Sequence, residues 1–259
     1  MLRSLLLLAL ATSSLASAQT RTLKVGVTAG PHAQILEVVA RVAAREGVTV
    51  KIIEFNDYVQ PNEALAAGEL DANSFQHQPY LDQQNQDRGY RIVSIARTVT
   101  FPIGIYSRKH ASLQQLPKGA RVAIPNDPTN GGRVLKLLES EKLLRLRKGV
   151  GVGASVADVE GNPKQLEFVE LDAAQLPRVL DDVDAAAINT NYALEAGLNP
   201  LKDALVREAA ASPYANVIAA RESERARPEL QVLVRAYQSP EVKRFIEETF
   251  RGAVVPAWR

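Results

Sequence analysis

Hydrophobic and polar positions along this chain alternate between two periods. Residues 23–28 (LKVGVT) form a short β-branched run of the kind that makes a buried strand. Ala29-Gly30-Pro31 interrupts it, with Pro31 suited to the first position of a helix. Ile35, Val38, Val39 and Val42 then recur at the spacing of one helix face, and Gly47 closes the segment. Residues 48–55 read as the next strand, 62–67 as a short helix and 70–75 as a short strand. Further strands are predicted at 91–96, 101–107, 121–125, 166–171, 184–190 and 214–220. A helix begins near Gly131 with Val134, Leu137 and Leu138 on one face, and 228–250 reads as one charged helical stretch. The basic run KLLRLRK at 142–148 reads as a solvated helix face.

This alternation predicts an α/β fold with largely parallel sheets. Strand–helix units start afresh after residue 108, which points to two lobes joined by two crossings. The boundaries place lobe 1 at 19–108 plus 220–259 and lobe 2 at 109–219. Ligands of open α/β sheets gather at the carboxyl ends of strands, so residues just after strands carry the most weight.

The first residues stand apart from this pattern. Arg3, an apolar run at 5–11, a small polar stretch at 12–17 and Ala16-Ser17-Ala18 together read as a secretory signal peptide over 1–18, cut before Gln19. The chain has no cysteine, so a lipobox is missing, and the expectation is a periplasmic or extracellular protein without a lipid anchor. The same absence excludes thiolate metal sites, Cys nucleophiles and disulfides. A three-histidine zinc site would need all three of His32, His77 and His110. With 31 basic and 29 acidic residues the formal charge is +2, too small for an electrostatic nucleic-acid footprint. No cofactor is called for, and a monomer is expected.

A search for catalytic motifs finds no G-x-S-x-G elbow, no H-E-x-x-H, no Walker A sequence and no G-x-G-x-x-G opening a helix. Clusters suited to binding are more evident. Phe75-Gln76-His77-Gln78-Pro79-Tyr80 follows a strand and concentrates aromatics in a chain that is only 5% aromatic, as a binding cluster or as core. Asn126 to Arg133 follows the strand 121–125 and opens a helix, where free N–H groups favour an anion. Arg133 there opposes the helix dipole and calls for a carboxylate partner, or is simply a surface arginine. Asn189 and Asn216 sit at strand ends, as turn residues or as polar groups facing a cleft.

These stretches also carry a resemblance. V-G-V-T-A-G-P-H at 25–32, P-N-E-A-L-A-A-G-E-L-D-A-N-S-F-Q-H-Q-P-Y-L at 61–81 and P-N-D-P-T-N-G-G-R at 125–133 are similar to the methionine-binding proteins of bacterial ABC importers, the MetQ/NlpA group. I-N-T-N-Y-A at 188–193, S-P-Y-A-N at 212–216 and G-A-V-V-P-A-W at 252–258 extend the resemblance over essentially the whole chain after the leader. It implies a two-lobed periplasmic-binding-protein fold (type II-like), with two mixed sheets, helices and an interlobe cleft. Carried over by position, Tyr58, Phe75, His77 and Tyr80 would cage a methionine side chain. Arg133, Asn130, Asn189 and Asn216 would grip the amino-acid head. The implied partners are methionine and an ABC permease with its ATPase subunits. The alternatives are another apolar amino acid, a methionine-containing dipeptide, or an enzyme acting on a small carboxylate in the same cleft. One departure is the missing lipobox cysteine, since most members of that group are lipoproteins.

Overall fold

The computed structural model describes residues 21–211 and 213–258. The segment read as a signal peptide, and Ser212, lie outside the described residues. The chain runs through β1 (Arg21–Thr28), α1 (Pro31–Ala44), β2 (Val48–Phe55), α2 (Gln60–Ala66), β3 (Ala72–Asn73), α3 (Gln78–Arg88) and β4 (Ile92–Thr100). It continues through β5 (Gly104–Tyr106), β6 (Arg121–Pro125), α4 (Pro128–Ser140), β7 (Arg145–Leu146), β8 (Val159–Gly161), β9 (Glu167–Leu171), β10 (Ala185–Ile188), α5 (Thr190–Glu195) and β11 (Ala204–Arg207). It ends with β12 (Ala215–Arg221), α6 (Pro228–Tyr237), α7 (Pro240–Phe250) and β13 (Val255–Pro256).

Two sheets divide the molecule. The first has the order β13-β4-β12-β3-β1-β2 and the second β11-β5-β10-β6-β9. Both are mixed: β1 pairs parallel with β2 and β3, while β12 and β13 run antiparallel to β4. In the second sheet β6 is parallel to β9 and β10, and β5 is antiparallel to β10 and β11. The parallel pairing expected from sequence therefore holds on one side of each sheet, over β3-β1-β2 and β10-β6-β9, and the remaining neighbours pair antiparallel. The chain passes from the first sheet to the second between β4 and β5, and back between β11 and β12. Strand Gly104–Tyr106 thus sits in the second sheet and Ala215–Arg221 in the first, a few residues to either side of the boundaries drawn from sequence.

Burial explains which strands are central. All four residues of β10 (Ala-Ala-Ala-Ile) are buried, as suits a strand covered on both faces. In the first lobe α1, α6 and α7 pack one face of the sheet through Ile35, Val39, Leu233 and Ile246. Leu65, Leu70 and Leu81 pack its other face.

Three local expectations are revised. The stretch at 228–250 is two helices, because Pro240 has no N–H for a continuous ladder and Ser239 Oγ instead accepts from the Val242 N–H at 3.3 Å. The 142–148 run is not a helix face: α4 ends at Ser140, Lys142 takes a positive φ of 61°, and Leu143, Leu144 and Leu146 are buried beside the β7–β8 pair. Helix α4 begins at Pro128, so Arg133 lies in its second turn, not its first.

Glycines let α4 approach its surroundings closely. A Cβ on Gly132 would stand 2.3 Å from the Val152 carbonyl oxygen and 2.8 Å from the Ala154 nitrogen, both backbone atoms that cannot rotate away. Gly132→Ala is therefore expected to destabilise the protein by about 1–3 kcal/mol through overpacking. Urea unfolding should show a lower midpoint at unchanged slope.

Candidate functional site

Between the lobes lies a small cavity lined by His32, Tyr58, Phe75, Gln76, His77, Tyr80, Phe101, Asn130, Arg133, Asn189, Asn191 and Asn216. All eight candidate residues of the sequence meet there. His32, Gln76, Phe101 and Asn191 are additions that the structure makes to that set. The sequence does carry a signal for them: His32 and Phe101 stand just beyond β1 and β4, and His32 and Asn191 fall inside the motifs that carry the family resemblance.

The aromatic side is built by the first lobe. Phe75 and Tyr80 meet edge-on with ring centroids 6.1 Å apart, and Tyr58 lies 5.9 Å from Phe75 and 6.1 Å from Tyr80. The Tyr80 hydroxyl donates to the Tyr58 backbone carbonyl at 2.9 Å, which fixes the Tyr80 ring. The loop carrying Phe75 is held by a buried amide cluster. Asn62 and Gln76 exchange two hydrogen bonds at 2.7 Å, and Asn73 Nδ2 donates to Asn62 Oδ1 at 2.9 Å. His77 caps α3: its Nδ1 accepts from the Tyr80 N–H at 3.1 Å. The helix therefore sets the direction of the imidazole and its tautomer, with Nε2 carrying the proton.

The polar side belongs mainly to the second lobe. Asp127 caps α4 and accepts from the Asn130 backbone N–H and from Asn130 Nδ2, both at 2.9 Å. Asn130 Oδ1 then accepts from His77 Nε2 at 3.1 Å and from Asn189 Nδ2 at 3.0 Å. Asn130 Oδ1 is thereby taken up by the protein and ties the two lobes together. Asn189 occupies the cap position of α5, yet its side chain makes no capping bond and turns to Asn130 instead. Two buried polar atoms of the cavity wall, Asn189 Oδ1 and Asn191 Nδ2, take no partner among the described residues, and neither does His32 Nδ1. Asn216 Nδ2 donates to the Phe75 carbonyl at 3.2 Å and lies 3.5 Å from His32 Nε2. The cavity wall thus presents at least one free acceptor and one free donor to whatever fills it.

Arg133 is only 3% exposed. Its Nε donates to Glu208 Oε2 at 3.0 Å, and Nη2 donates to the same oxygen and, at 2.8 Å, to the Phe101 carbonyl. The guanidinium carbon sits 4.4 Å over the Tyr214 ring. The carboxylate partner that the sequence calls for is Glu208. One edge of the fork is occupied by it, and among the described residues Nη1 is the nitrogen without an acceptor. Across the mouth, the Tyr58 hydroxyl donates to Asn191 Oδ1 at 2.6 Å, and the Tyr192 hydroxyl to the Asn56 carbonyl at 3.3 Å. The lobes are therefore shut over the cavity.

Burial governs the titration of this site. Desolvation pushes both His32 and His77 down to about 3, with the nearby Arg133 charge adding to the effect on His77. Burial likewise raises the phenols of Tyr58 and Tyr80 and the carboxyl of Asp127. Both histidines are neutral through the physiological range. Because their folded values lie below the free value of 6.5, the unfolded chain binds more protons at mildly acidic pH. Their stabilising contribution is complete above the free value and is lost as pH falls from there toward 3. Each histidine should cost about 2 kcal/mol of stability between pH 7 and pH 5. Urea unfolding at the two pH values should show a His32→Gln variant losing less than wild type by about one such share.

The sequence and the fold are both shared with known proteins. The family model described as NlpA lipoprotein matches residues 23–258. The D-methionine-binding lipoprotein MetQ of Escherichia coli is 48% identical over 239 residues, covering 91% of this chain and 88% of that protein. A nutrient binding protein from Burkholderia cenocepacia, solved bound to methionine, is 56% identical with a TM-score of 0.89, covering 91% of this chain and 100% of that one. An ABC transporter periplasmic substrate-binding protein from Coxiella burnetii is 51% identical with a TM-score of 0.88, covering 91% and 100%. The architecture is accordingly the two-lobed α/β fold of periplasmic binding proteins. These matches also overturn one expectation. The lack of a lipobox cysteine predicts a protein without a lipid anchor, but the family is one of lipoproteins and the E. coli relative is named as one. A missing cysteine in this sequence does not support placing the protein outside that class.

Proposed function

The chain belongs to the NlpA lipoprotein family, and on that premise we propose that it is the solute-binding component of an ABC importer, holding methionine in the interlobe cavity. The observation that carries this reading is the meeting, in one closed cavity, of an aromatic slot with an arginine edge and unpaired amide groups. A methionine thioether suits the Tyr58, Phe75 and Tyr80 rings, since sulfur–aromatic contacts are each worth about 0.3–1.5 kcal/mol. The ligand carboxylate would accept from Arg133 Nη1 and Asn191 Nδ2. The ligand ammonium would donate to Asn189 Oδ1. Asn130 and His77 set the positions of these groups, and Asn216 closes the wall beside His32.

Binding, not catalysis, is the favoured role. Among the described lining residues there is no carboxylate, lysine, serine or threonine, and both histidines are held neutral far from a useful catalytic range. The expected partners are the permease and ATPase subunits of the importer, with the receptor itself a monomer of two closing lobes. The relatives named or titled for methionine support the ligand, and the Coxiella protein titled for an ABC transporter supports the partner.

Mass spectrometry of small molecules released on denaturing the purified protein should find methionine, and calorimetry with both enantiomers should show binding. Arg133→Ala should weaken methionine by about 30-fold or more, because a buried charge pair loses a member at a typical cost of about 2–5 kcal/mol. Near-equal affinity would remove Arg133 from the site. Phe75→Ala should cost about 1–3 kcal/mol of binding through the lost aromatic contact. An unchanged affinity with a large fall in melting temperature would instead make Phe75 a core residue.

A further inference from the structure

Arg133 supplies the only charged side chain among the described residues lining the cavity, and that charge is already matched inside the protein. Glu208 lies just past β11, in the segment that returns the chain to the first lobe, and its backbone N–H donates to the Ile103 carbonyl at 2.9 Å. From there its carboxylate takes both Nε and Nη2 of the guanidinium. Its side chain is 14% exposed and does not line the cavity, so it acts on a ligand through Arg133. Asp127 is another acidic group near this wall. It is taken up by Thr129, by the Asn130 amide and by the first turn of α4, whose dipole offsets it.

We propose that Glu208 is a positioning and specificity residue that makes the cavity select a net-neutral amino acid over a simple carboxylate anion. This rests on the amino-acid reading of the cavity given above. With Glu208 ionised against Arg133, the cavity wall carries no net charge. A zwitterion enters without leaving a buried charge unbalanced, its ammonium meeting amide oxygen and its carboxylate the free edge of the fork. A carboxylate lacking the ammonium brings one uncompensated negative charge into a desolvated space, and an amine lacking the carboxylate brings one positive charge. If Glu208 were absent, Arg133 would be an unmatched cation and would favour the anion.

The test uses three ligands of one shape: methionine, desamino-methionine (the same thioether acid without its ammonium) and methioninol (the amine without a carboxylate). Calorimetry on wild type should rank methionine above desamino-methionine by about 100-fold or more, as expected for burying an uncompensated charge. In Glu208→Gln the ratio of desamino-methionine to methionine affinity should rise by about tenfold or more, while that of methioninol falls, the direction set by a single charge a few ångströms away. Glu208→Asp keeps the charge and should preserve the wild-type ranking even if every affinity drops. A common factor across all three ligands in Glu208→Gln would mean a merely structural role and would overturn the proposal. So would a changed ranking in Glu208→Asp. If Glu208→Gln fails to fold, the wild-type ranking still decides: desamino-methionine binding within about tenfold of methionine overturns the idea. Wild type that binds none of the three defeats the amino-acid reading itself, an outcome distinct from binding with the wrong charge preference.

Discussion

One buried guanidinium organises the centre of this molecule. Arg133 reaches from the second turn of α4 to the two segments where the chain crosses between the lobes. It donates to the Phe101 carbonyl on the outgoing crossing, pairs with Glu208 on the returning one and lies over the Tyr214 ring further along it. A cation this far from water is tolerated only with several well-placed acceptors, and both crossings supply them. The position of the lobes and the position of the charge are therefore one problem. A lobe rotation about those crossings moves the acceptors, and anything that fixes the guanidinium fixes the crossings.

Around that charge, the polarity of the cavity comes almost entirely from neutral groups. The chain of contacts from the Tyr80 N–H through His77 to Asn130 and Asn189 runs from the first lobe to the second without a net charge. Burial keeps His77 in its neutral form, which is what allows one nitrogen to accept and the other to donate. Amides suit this role because each offers both a donor and an acceptor and carries no ionic desolvation cost. Their unused atoms, Asn189 Oδ1 and Asn191 Nδ2, are what remains for a ligand. The aromatic rings on the facing wall need no such matching and contribute area and shape instead.

Much of this architecture is legible in local stretches of the chain. Strands 48–55 and 121–125 fall where the hydrophobic period puts them, since runs rich in β-branched and apolar residues leave a local mark both at a sheet edge, as for 48–55, and inside a sheet, as for 121–125. All eight candidate residues converge on one cavity, from the segments after β2, β3 and β10, from the first two turns of α3 and α4 and from the start of β12, because strand ends in an α/β sheet share one rim. The break at Ser239-Pro240 is readable too, from the proline alone, though the long charged stretch around it masks the signal.

Sequence by itself therefore points to the alternation of elements and the two-lobe plan through periods within short windows, and to candidate site residues through the motifs of the family resemblance. Tertiary structure alone decides which polar atoms are free. Arg133 calls for a carboxylate, but Glu208 lies 75 positions away and is brought to it only by the return crossing. Asn130 is a candidate ligand group in sequence, and only the approach of His77 and Asn189 shows that its amide oxygen also binds within the protein. The 142–148 run has the pattern of a helix face, yet Lys142 takes a positive φ and the leucines turn inward. In each case the deciding partner is remote along the chain, and hydrogen-bond saturation and burial depend on partners that no local pattern records.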